Sequence, residues 1–236
     1  MKIEQINKEV IFDEKSHTYI KSGKNLKSAT SLLSLYKNKF DPDGHIIRAC
    51  AKRDGITVNE VKNNWHKIKE EGLARGQNFH RQAEYYIKNG IILNEDYKDV
   101  VEQLVRYPFK GKLFSEIALH SDKYGIAGTC DLIELFDDNS FITYDFKTNK
   151  RFTIKSKYKT KLLYPLEEYD ECDLITYSLQ LNIYNIMLEE FGFKSKDKSV
   201  IFYINPETRK IDEYEVLSLK KQTLKLLKHF KSMQDW

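Results

Sequence analysis

The period of the apolar residues changes near position 110, and this change constrains the fold more than any other feature. Residues 57–88 carry apolar side chains at helical spacing. Three later segments alternate or run apolar in the manner of β-strands: 114–121, 125–136 and 140–147. The helical period returns at 168–191. The chain is therefore predicted to form an α/β fold in which helices flank a mixed central β-sheet.

Shorter signals predict the remaining elements. We expect a β-hairpin at 9–22 around the turn Asp13-Glu14-Lys15, a short helix at 28–36 capped by Ser28 or Thr30, a helix at 95–107, strands at 198–204 and 211–217, and a basic helix at 218–234. Residues 57–88 are predicted to form two helices, and Gly72 and Gly76 flank a break or a point of close packing.

The chain has no internal repeat and no Pro/Gly-rich linker. We therefore expect a single domain over residues 1–236. Its predicted parts are an N-terminal hairpin and helical extension (1–70), a core (71–217) and a C-terminal helix (218–236).

Composition excludes several classes of protein. No apolar run approaches the ~18 residues that a membrane-spanning helix needs, and the first residues lack the apolar stretch of a secretory signal. The three cysteines, Cys50, Cys130 and Cys172, are too widely spaced for a disulfide framework and fit a reducing compartment. We expect a cytoplasmic protein with no membrane partner. The net charge of +4 is compatible with a nucleic-acid partner but does not argue for one.

A carboxylate and an ammonium group stand two positions apart in Asp145-Phe146-Lys147, at the end of an apolar strand. Residues two apart in a strand point to the same face, so the carboxylate can hold a hard divalent cation while the lysine lies beside a water molecule on that cation. The motif alone says little, because the same spacing recurs at Asp13–Lys15, Glu60–Lys62 and Asp96–Lys98.

Asp131 gives the motif at Asp145 its context. It lies between Cys130 and Leu132 in the preceding predicted strand, and an unpaired carboxylate is costly to bury in so apolar a run. A hairpin would bring Asp131 and Asp145 onto neighbouring strands, where two carboxylates repel each other unless a cation or a proton intervenes. A metal ion is the simplest solution; the alternative is an exposed strand end with ordinary charges.

Two helical pairs flank these strands. His80 and Glu84 share one helix face, and imidazole would supply a third ligand suited to Mn²⁺ and related ions. Gln180 and Tyr184 share a face of the later helix. Each pair alone has an ordinary explanation as well: a surface pair for the first, and core packing for Tyr184.

Taken in order, four motifs resemble the RecB-like branch of the PD-(D/E)XK nucleases. They are GxxxHxxxE from Gly76 to Glu84, GxxD from Gly128 to Asp131, DxK from Asp145 to Lys147, and QxxxY from Gln180 to Tyr184. The resemblance runs from about residue 72 to residue 188 and implies a restriction-endonuclease-like core. The segment SATSLLSLY and the length of the chain are similar to stand-alone phage and mitochondrial exonucleases of this branch.

The resemblance also implies a metal and its ligands. The cofactor would be Mg²⁺ or Mn²⁺, and its ligands would be His80, Asp131, Asp145 and the carbonyl group of Phe146. Several relatives hold an iron–sulfur cluster through four cysteines. The three scattered cysteines of this chain predict no cluster.

Further roles follow from the same resemblance. Lys147 would orient or deprotonate the attacking water and stabilise developing negative charge. Gln180 and Tyr184 would contact DNA or brace this lysine. Glu116, on the strand before GxxD, is a candidate for a supporting or second-metal carboxylate, and so counts among the catalytic residues with Asp131, Asp145 and Lys147.

A lysine-rich segment follows the DxK motif. Its basic residues are interleaved with aromatic ones and include Lys150, Arg151, Lys155, Lys157 and Lys159. A basic segment beside a metal site is where a phosphate backbone would be held, and aromatic rings could stack on unpaired bases. A solvated loop would have the same composition. The lysines of 218–234 are better explained as the polar face of an amphipathic helix.

These expectations combine into a divalent-metal-dependent DNA exonuclease of replication, recombination or repair. Its substrate would be single-stranded DNA or the ends of double-stranded DNA, and a recombination or replication protein is a candidate partner. If the chain is phage-encoded, it would act in the cytoplasm of a bacterial host. Two alternatives stay open: a DNA or RNA endonuclease of the same fold, and a non-catalytic DNA-binding module.

Overall fold

The computed structural model describes residues 2–13, 16, 18–39, 41 and 43–234. Its helices are α1 (Ile3–Lys8), α2 (Ala29–Ser34), α3 (His45–Asp54), α4 (Val58–Asn89), α5 (Lys98–Val105), α6 (Asp173–Glu190) and α7 (Lys220–Gln234). Its strands are β1 (Ile11–Asp13), β2 (Thr18–Lys21), β3 (Lys24–Ser28), β4 (Lys112–Ser121), β5 (Ile126–Leu135), β6 (Ser140–Lys147), β7 (Lys194–Ile204) and β8 (Ile211–Glu215).

All eight strands join one mixed sheet, which confirms the predicted α/β class. The strands β4, β5 and β6 form an antiparallel meander, and β6 then pairs with β7 in parallel through the crossover helix α6. Such a parallel pair needs a long connection, which the segment 148–193 supplies. The hairpin β1–β2–β3 joins the sheet through a parallel pairing of β3 with β5.

The edge of β5 opposite β4 is shared by two strands. β3 pairs with Ile126 and Ala127, and β6 pairs with residues 132–135. Within the described chain, residues 128–131 therefore have no strand partner on this edge. The gap in the sheet between β3 and β6 leaves this edge of β5 without a neighbouring strand, and Asp131 lies at its border.

Helices cover both faces of the sheet. On one face, α6 and α7 bury a large apolar cluster that includes Leu181, Met187, Leu226 and Phe230. On the other face, α4 and α5 pack Phe79 and Val100, among others, against alternating residues of β6 and β7. No helix in the described ranges is long and apolar enough to cross a membrane.

The prediction of two helices over 57–88 is wrong, because the structure contains a single helix, α4. Thr57 and Glu60 cap it reciprocally, as a capping box does. Gly76 does not break the helix; a Cβ atom at this position would lie 3.3 Å from Oγ1 of Thr148. This glycine therefore allows α4 to approach the end of β6 closely.

Other differences concern short elements. None of the sequence patterns predicted α1, β3 or α3, which are short or rich in polar residues and are held by their neighbours. The predicted helix 168–191 begins later, at Asp173. In the predicted hairpin β1–β2, the turn residues Glu14 and Lys15 lie outside the described residues, while Ser28 caps α2 as expected.

Gly128 lets α6 rest directly on the gap in the sheet. A methyl group at this position would lie 2.7 Å from Cε1 and 3.0 Å from the hydroxyl oxygen of Tyr184. Tyr184 is buried, so its ring has little room to move away. The GxxD glycine is therefore required by the packing of α6 on β5.

We predict that Gly128→Ala lowers the free energy of unfolding by about 1–3 kcal/mol, because the added methyl overpacks this contact. Tyr184→Leu removes the opposing ring, so the double variant should lose less stability than the two single variants together. Urea unfolding of the four proteins measures this coupling. Strictly additive losses would show that Gly128 and Tyr184 do not constrain each other.

Candidate functional site

Asp131 and Asp145 lie on neighbouring strands at the gap in the sheet. The last pair of the β5–β6 ladder is Leu132 with Tyr144, so Asp131 and Asp145 are the next residues outward on their strands. One oxygen of Asp131 accepts a hydrogen bond of 2.7 Å from the backbone N–H of Phe146. Both carboxylates are buried. The hairpin thus places the two predicted acidic residues together.

Asp131 is one of three side chains that converge from three different elements. The ligand atoms of His80 (α4), Glu116 (β4) and Asp131 (β5) all lie within 4.8 Å of one another. Nδ1 of His80 is 3.2 Å from Oε1 of Glu116 and 3.6 Å from Oδ1 of Asp131. Nε2 of His80 is 3.2 Å from the carbonyl oxygen of Phe146.

This set of donors fits a hard divalent cation. Oxygen and imidazole ligands suit Mg²⁺ and Mn²⁺. Two ligands on opposite sides of a Mg²⁺ ion are about 4.2 Å apart, since each bond is about 2.1 Å long. Small rotations of the three side chains would therefore suffice to surround one ion.

Glu116 reaches the cluster through an unusual backbone conformation. Its φ angle is 53°, in the left-handed region that a residue with a Cβ atom rarely adopts. The ladder of β4 with β5 is intact on either side, at Ser115–Leu132 and Ile117–Cys130. Such a conformation costs on the order of 1–3 kcal/mol and persists where the surroundings enforce it. The residue with the strained backbone is therefore the one whose carboxylate contacts His80.

Asp145 is held apart from the three-residue cluster by its own partners. Its Oδ2 atom contacts the ammonium group of Lys147 in an ion pair, and its Oδ1 atom accepts a hydrogen bond of 3.2 Å from Gln180. The Lys147 ammonium also lies 4.6 Å from the ring centre of Tyr177, a favourable cation–π contact. Asp145 and Lys147 thus share one face of β6, as their spacing predicts.

Burial and mutual repulsion set the electrostatics of the site. Burial raises the pKa of Asp131 above its ordinary value, although His80 and Lys147 oppose this effect. Burial likewise raises the pKa of Asp145, to about 6, against the influence of Lys147. Burial alone would lower the pKa of His80, but the charges of Asp131 and Glu116 outweigh it and raise the pKa to about 9.

His80, with its pKa raised to about 9, is protonated at neutral pH, and Lys147 keeps its charge because its pKa is also raised. Both cations lie among the carboxyl groups of Glu116, Asp131 and Asp145. Loss of the His80 proton would remove one positive charge from the site, and a divalent ion among these ligands would more than replace it. In the absence of a metal ion, the protonated imidazole thus supplies the positive charge that a bound ion would supply in its place.

Gln180 and Tyr184 lie inside the protein rather than on a surface that DNA could reach. Both side chains are buried, and the Gln180 amide donates to Asp145 and to the hydroxyl oxygen of Tyr184, each at 3.2 Å. Of the two roles that the resemblance implies, their position favours bracing, with the carboxylate of Asp145 as the group that they brace. Glu84 pairs with Lys88 on the surface of α4 instead of joining the site.

The predicted DNA-contacting residues of the loop are all exposed: Lys150, Arg151, Lys155, Lys157 and Lys159. An open cleft of about 590 Å³ separates this loop from α4, and both His80 and Lys147 line it. A polyanion in the cleft would therefore meet the acidic centre on one side and the loop on the other.

Sequence reasoning missed two residues of this cleft. Arg75 donates a hydrogen bond of 3.0 Å to the backbone carbonyl of Thr148 and so ties α4 to the end of β6. Tyr177 lies beneath Lys147. Helical spacing could have found Tyr177, since it precedes Gln180 and Tyr184 by three and seven positions; for Arg75 the sequence carries no comparable signal.

No family model and no curated protein matches the chain. Several solved structures are similar in part, among them the following two. The protein SSO0001 is 21% identical, with 66% of this chain and 71% of that chain covered and a TM-score of 0.34. A protein of Eubacterium rectale, provisionally named an exonuclease, is 11% identical, with 85% and 71% covered and a TM-score of 0.32. What the chain can do must therefore be inferred from its own residues.

We predict that binding of Mg²⁺ or Mn²⁺ at pH 7.5 releases about one proton. His80, with its pKa raised to about 9, is protonated at this pH, and a metal ligand must be the neutral imidazole. Affinity should accordingly increase as the pH rises toward 9. Calorimetric titration in two buffers of different ionisation enthalpy measures the protons released.

The control for this titration is His80→Gln, which keeps a polar side chain but has no proton to lose. This variant should bind the ion more weakly and release no proton. Equal heats in both buffers for the native protein would contradict the assignment of His80 as a ligand.

Proposed function

We propose that the chain is a divalent-metal-dependent nuclease of the RecB-like PD-(D/E)XK type, and that it acts as a DNA exonuclease. One observation carries this proposal: a three-residue ligand cluster lies beside a buried Asp–Lys ion pair at the border of an open cleft. The cluster is His80, Glu116 and Asp131, and the pair is Asp145 with Lys147.

The positions of the motifs support the family assignment. GxxxHxxxE lies on α4, upstream of the meander, GxxD on the second strand of the meander, DxK on its third strand, and QxxxY on the crossover helix. These elements are far apart in sequence, yet His80 contacts Asp131 and Gln180 contacts Asp145. A convergence of four separate motifs at one point is what a shared active site requires.

The proposed metal site would comprise His80, Glu116, Asp131 and the carbonyl oxygen of Phe146, with Asp145 next to it. When bound, Mg²⁺ or Mn²⁺ would activate a water molecule and neutralise charge on a phosphate group. The role of Asp131 is supported by its hydrogen bond to Phe146, which fixes the carboxylate and the carbonyl group relative to each other.

Lys147 is suited to the phosphate that is cleaved. Asp145 and Asp131 hold its pKa above the ordinary value although burial would lower it, so the ammonium group stays charged. Its side chain is partly exposed to the cleft. A fixed positive charge at this point would stabilise the negative charge that develops on the phosphate oxygens and would orient the attacking water.

Gln180 would act as a positioning residue. Its amide group holds the Oδ1 atom of Asp145, which leaves Oδ2 for Lys147. Within the described chain, Oδ2 forms no hydrogen bond of favourable geometry. This oxygen is thus the atom most readily redirected toward a cation, and the exposed lysines of the adjoining loop would hold the DNA backbone.

We predict that Lys147→Ala and Asp145→Asn each reduce cleavage of DNA at least ~100-fold, because each removes a charge that stabilises the transition state. The assay uses 5′- and 3′-labelled linear DNA, single- and double-stranded, with Mg²⁺, Mn²⁺ or EDTA. Loss of label from one end alone would identify an exonuclease and its polarity.

The matched control is Lys98→Ala, because Asp96 and Lys98 have the same spacing but are exposed and do not belong to the site. This variant should cleave at the native rate. Thermal unfolding should confirm that every variant is folded. Native rates in Lys147→Ala and Asp145→Asn would refute the site, and cleavage of covalently closed circles would favour the endonuclease alternative.

A further inference from the structure

The solvent face of α7 carries a concentration of positive charge that folding alone does not require. Its fifteen residues include no acidic residue and five lysines: Lys220, Lys221, Lys225, Lys228 and Lys231. The net charge of the whole chain, in comparison, is only +4. The opposite face buries Leu226, Leu227 and Phe230 in the core. An amphipathic helix needs a polar face, but it does not need one of a single sign.

Four of these lysines line a shallow groove of about 930 Å³: Lys220, Lys221, Lys225 and Lys228. Lys220, at its end, is paired with Glu189. In the described part of the chain neither Lys221 nor Lys228 forms an ion pair, and Lys225 donates to the carbonyl oxygen of Pro165 at 3.1 Å. Glu168 is the one acidic side chain that lines the groove among the described residues. The groove is therefore strongly electropositive.

Exposed aromatic rings accompany this charge. Tyr164 is 62% exposed and lies 5.6 Å from the ammonium group of Lys225 and 5.1 Å, edge to face, from the ring of His229. Tyr158, earlier in the same loop, is 80% exposed. A ring that is fixed on one side and open on the other can stack on a nucleic-acid base.

The loop between β6 and α6 connects this groove to the proposed active site. It leaves the site at Lys147 and reaches α7 at Pro165. Between these points, residues 148–166 contain six basic residues and no acidic one. The six basic residues of this loop, together with Lys221, Lys225 and Lys228, are called the basic track below.

We propose that the basic track binds a single strand of nucleic acid that continues from the active site across the loop to α7. This inference rests on the proposed function, because the proposed active site would hold one end of the strand and α7 the other. From Lys221 to Lys228 the helix rises about 10 Å, so Lys221, Lys225 and Lys228 present their charges along a line rather than at one point. An anionic membrane is less suitable, because the exposed face presents lysines rather than apolar side chains.

The test measures binding of fluorescent dT30 by the full chain in EDTA, at a series of salt concentrations. The variant Lys221→Gln/Lys225→Gln/Lys228→Gln should reduce the slope of log K against log [salt] by about 2, since each phosphate contact on a single strand contributes about 0.7. The control variant Lys88→Gln/Lys98→Gln/Arg106→Gln loses the same charge from α4, α5 and the residue after it, on the other face of the sheet, and should keep the native slope.

A second variant, Lys221→Gln/Lys228→Gln, leaves the contacts of Lys225 intact in case the triple variant is unstable; its slope should fall by about 1.4. Native slopes in both α7 variants, or equal losses in the control, would overturn the proposal. Weaker binding to phosphatidylserine vesicles with unchanged binding of dT30 would overturn it in favour of a membrane surface.

A cleavage assay separates this proposal from the proposed function. In Mn²⁺, the α7 variants should cleave dT30 with a raised KM and an unchanged kcat, since they lack contacts remote from the reacting phosphate. If the native protein binds dT30 through α7 but cleaves nothing, the track stands and the nuclease proposal fails. If the native protein cleaves dT30 but the α7 variants bind it as tightly as the native protein does, the nuclease proposal stands and the basic track fails.

Discussion

Two carboxylates buried side by side, Asp131 and Asp145, are the constraint on which the site depends. Neither would be stable there as an isolated anion, because burial disfavours charge and each repels the other. The protein compensates with one cation for each: His80 beside Asp131, and Lys147 beside Asp145. The compensation is unequal in kind. Lys147 lies on the same strand as its partner, whereas His80 comes from a helix and can exchange its proton for another cation.

The rest of the fold maintains this arrangement. β3 and β6 share one edge of β5 and leave a gap, so Asp131 lies where this edge has no neighbouring strand, while its strand is fixed on the other edge by β4. Gly128 allows Tyr184 to close the inner side of the gap, and Tyr184 accepts the hydrogen bond that orients Gln180 toward Asp145. The strained backbone at Glu116 turns a third carboxylate toward His80. Packing in the core thus determines the orientation of the polar groups.

The sequence was sufficient to predict features that depend on a local pattern of residues. It was insufficient for features that depend on how the strands and helices assemble. Alternating apolar residues predicted β4, β5 and β6, and the hairpin then required Asp131 and Asp145 to be neighbours. No local pattern predicts the positive φ of Glu116, because glutamate ordinarily avoids that region. Helical spacing put Gln180 and Tyr184 on one face but could not say whether that face looks inward. Gly72 and Gly76 read as a possible break, yet glycine also permits close approach, and at Gly76 only the position of Thr148 distinguishes the two.

Charge is separated across the molecule in a way that the site explains. Acidic groups are concentrated in the interior at the gap, and basic groups line the loop and α7 outside it. A polyanion alone would be attracted to the loop but repelled by the centre; a cation alone would be attracted only by the centre. The two together satisfy both regions, since the cation neutralises the carboxylates and the phosphates meet the lysines. Such a surface would suit a ligand that brings a metal ion and a phosphate backbone to the same point, and the proposed hydrolysis of a phosphodiester requires that combination.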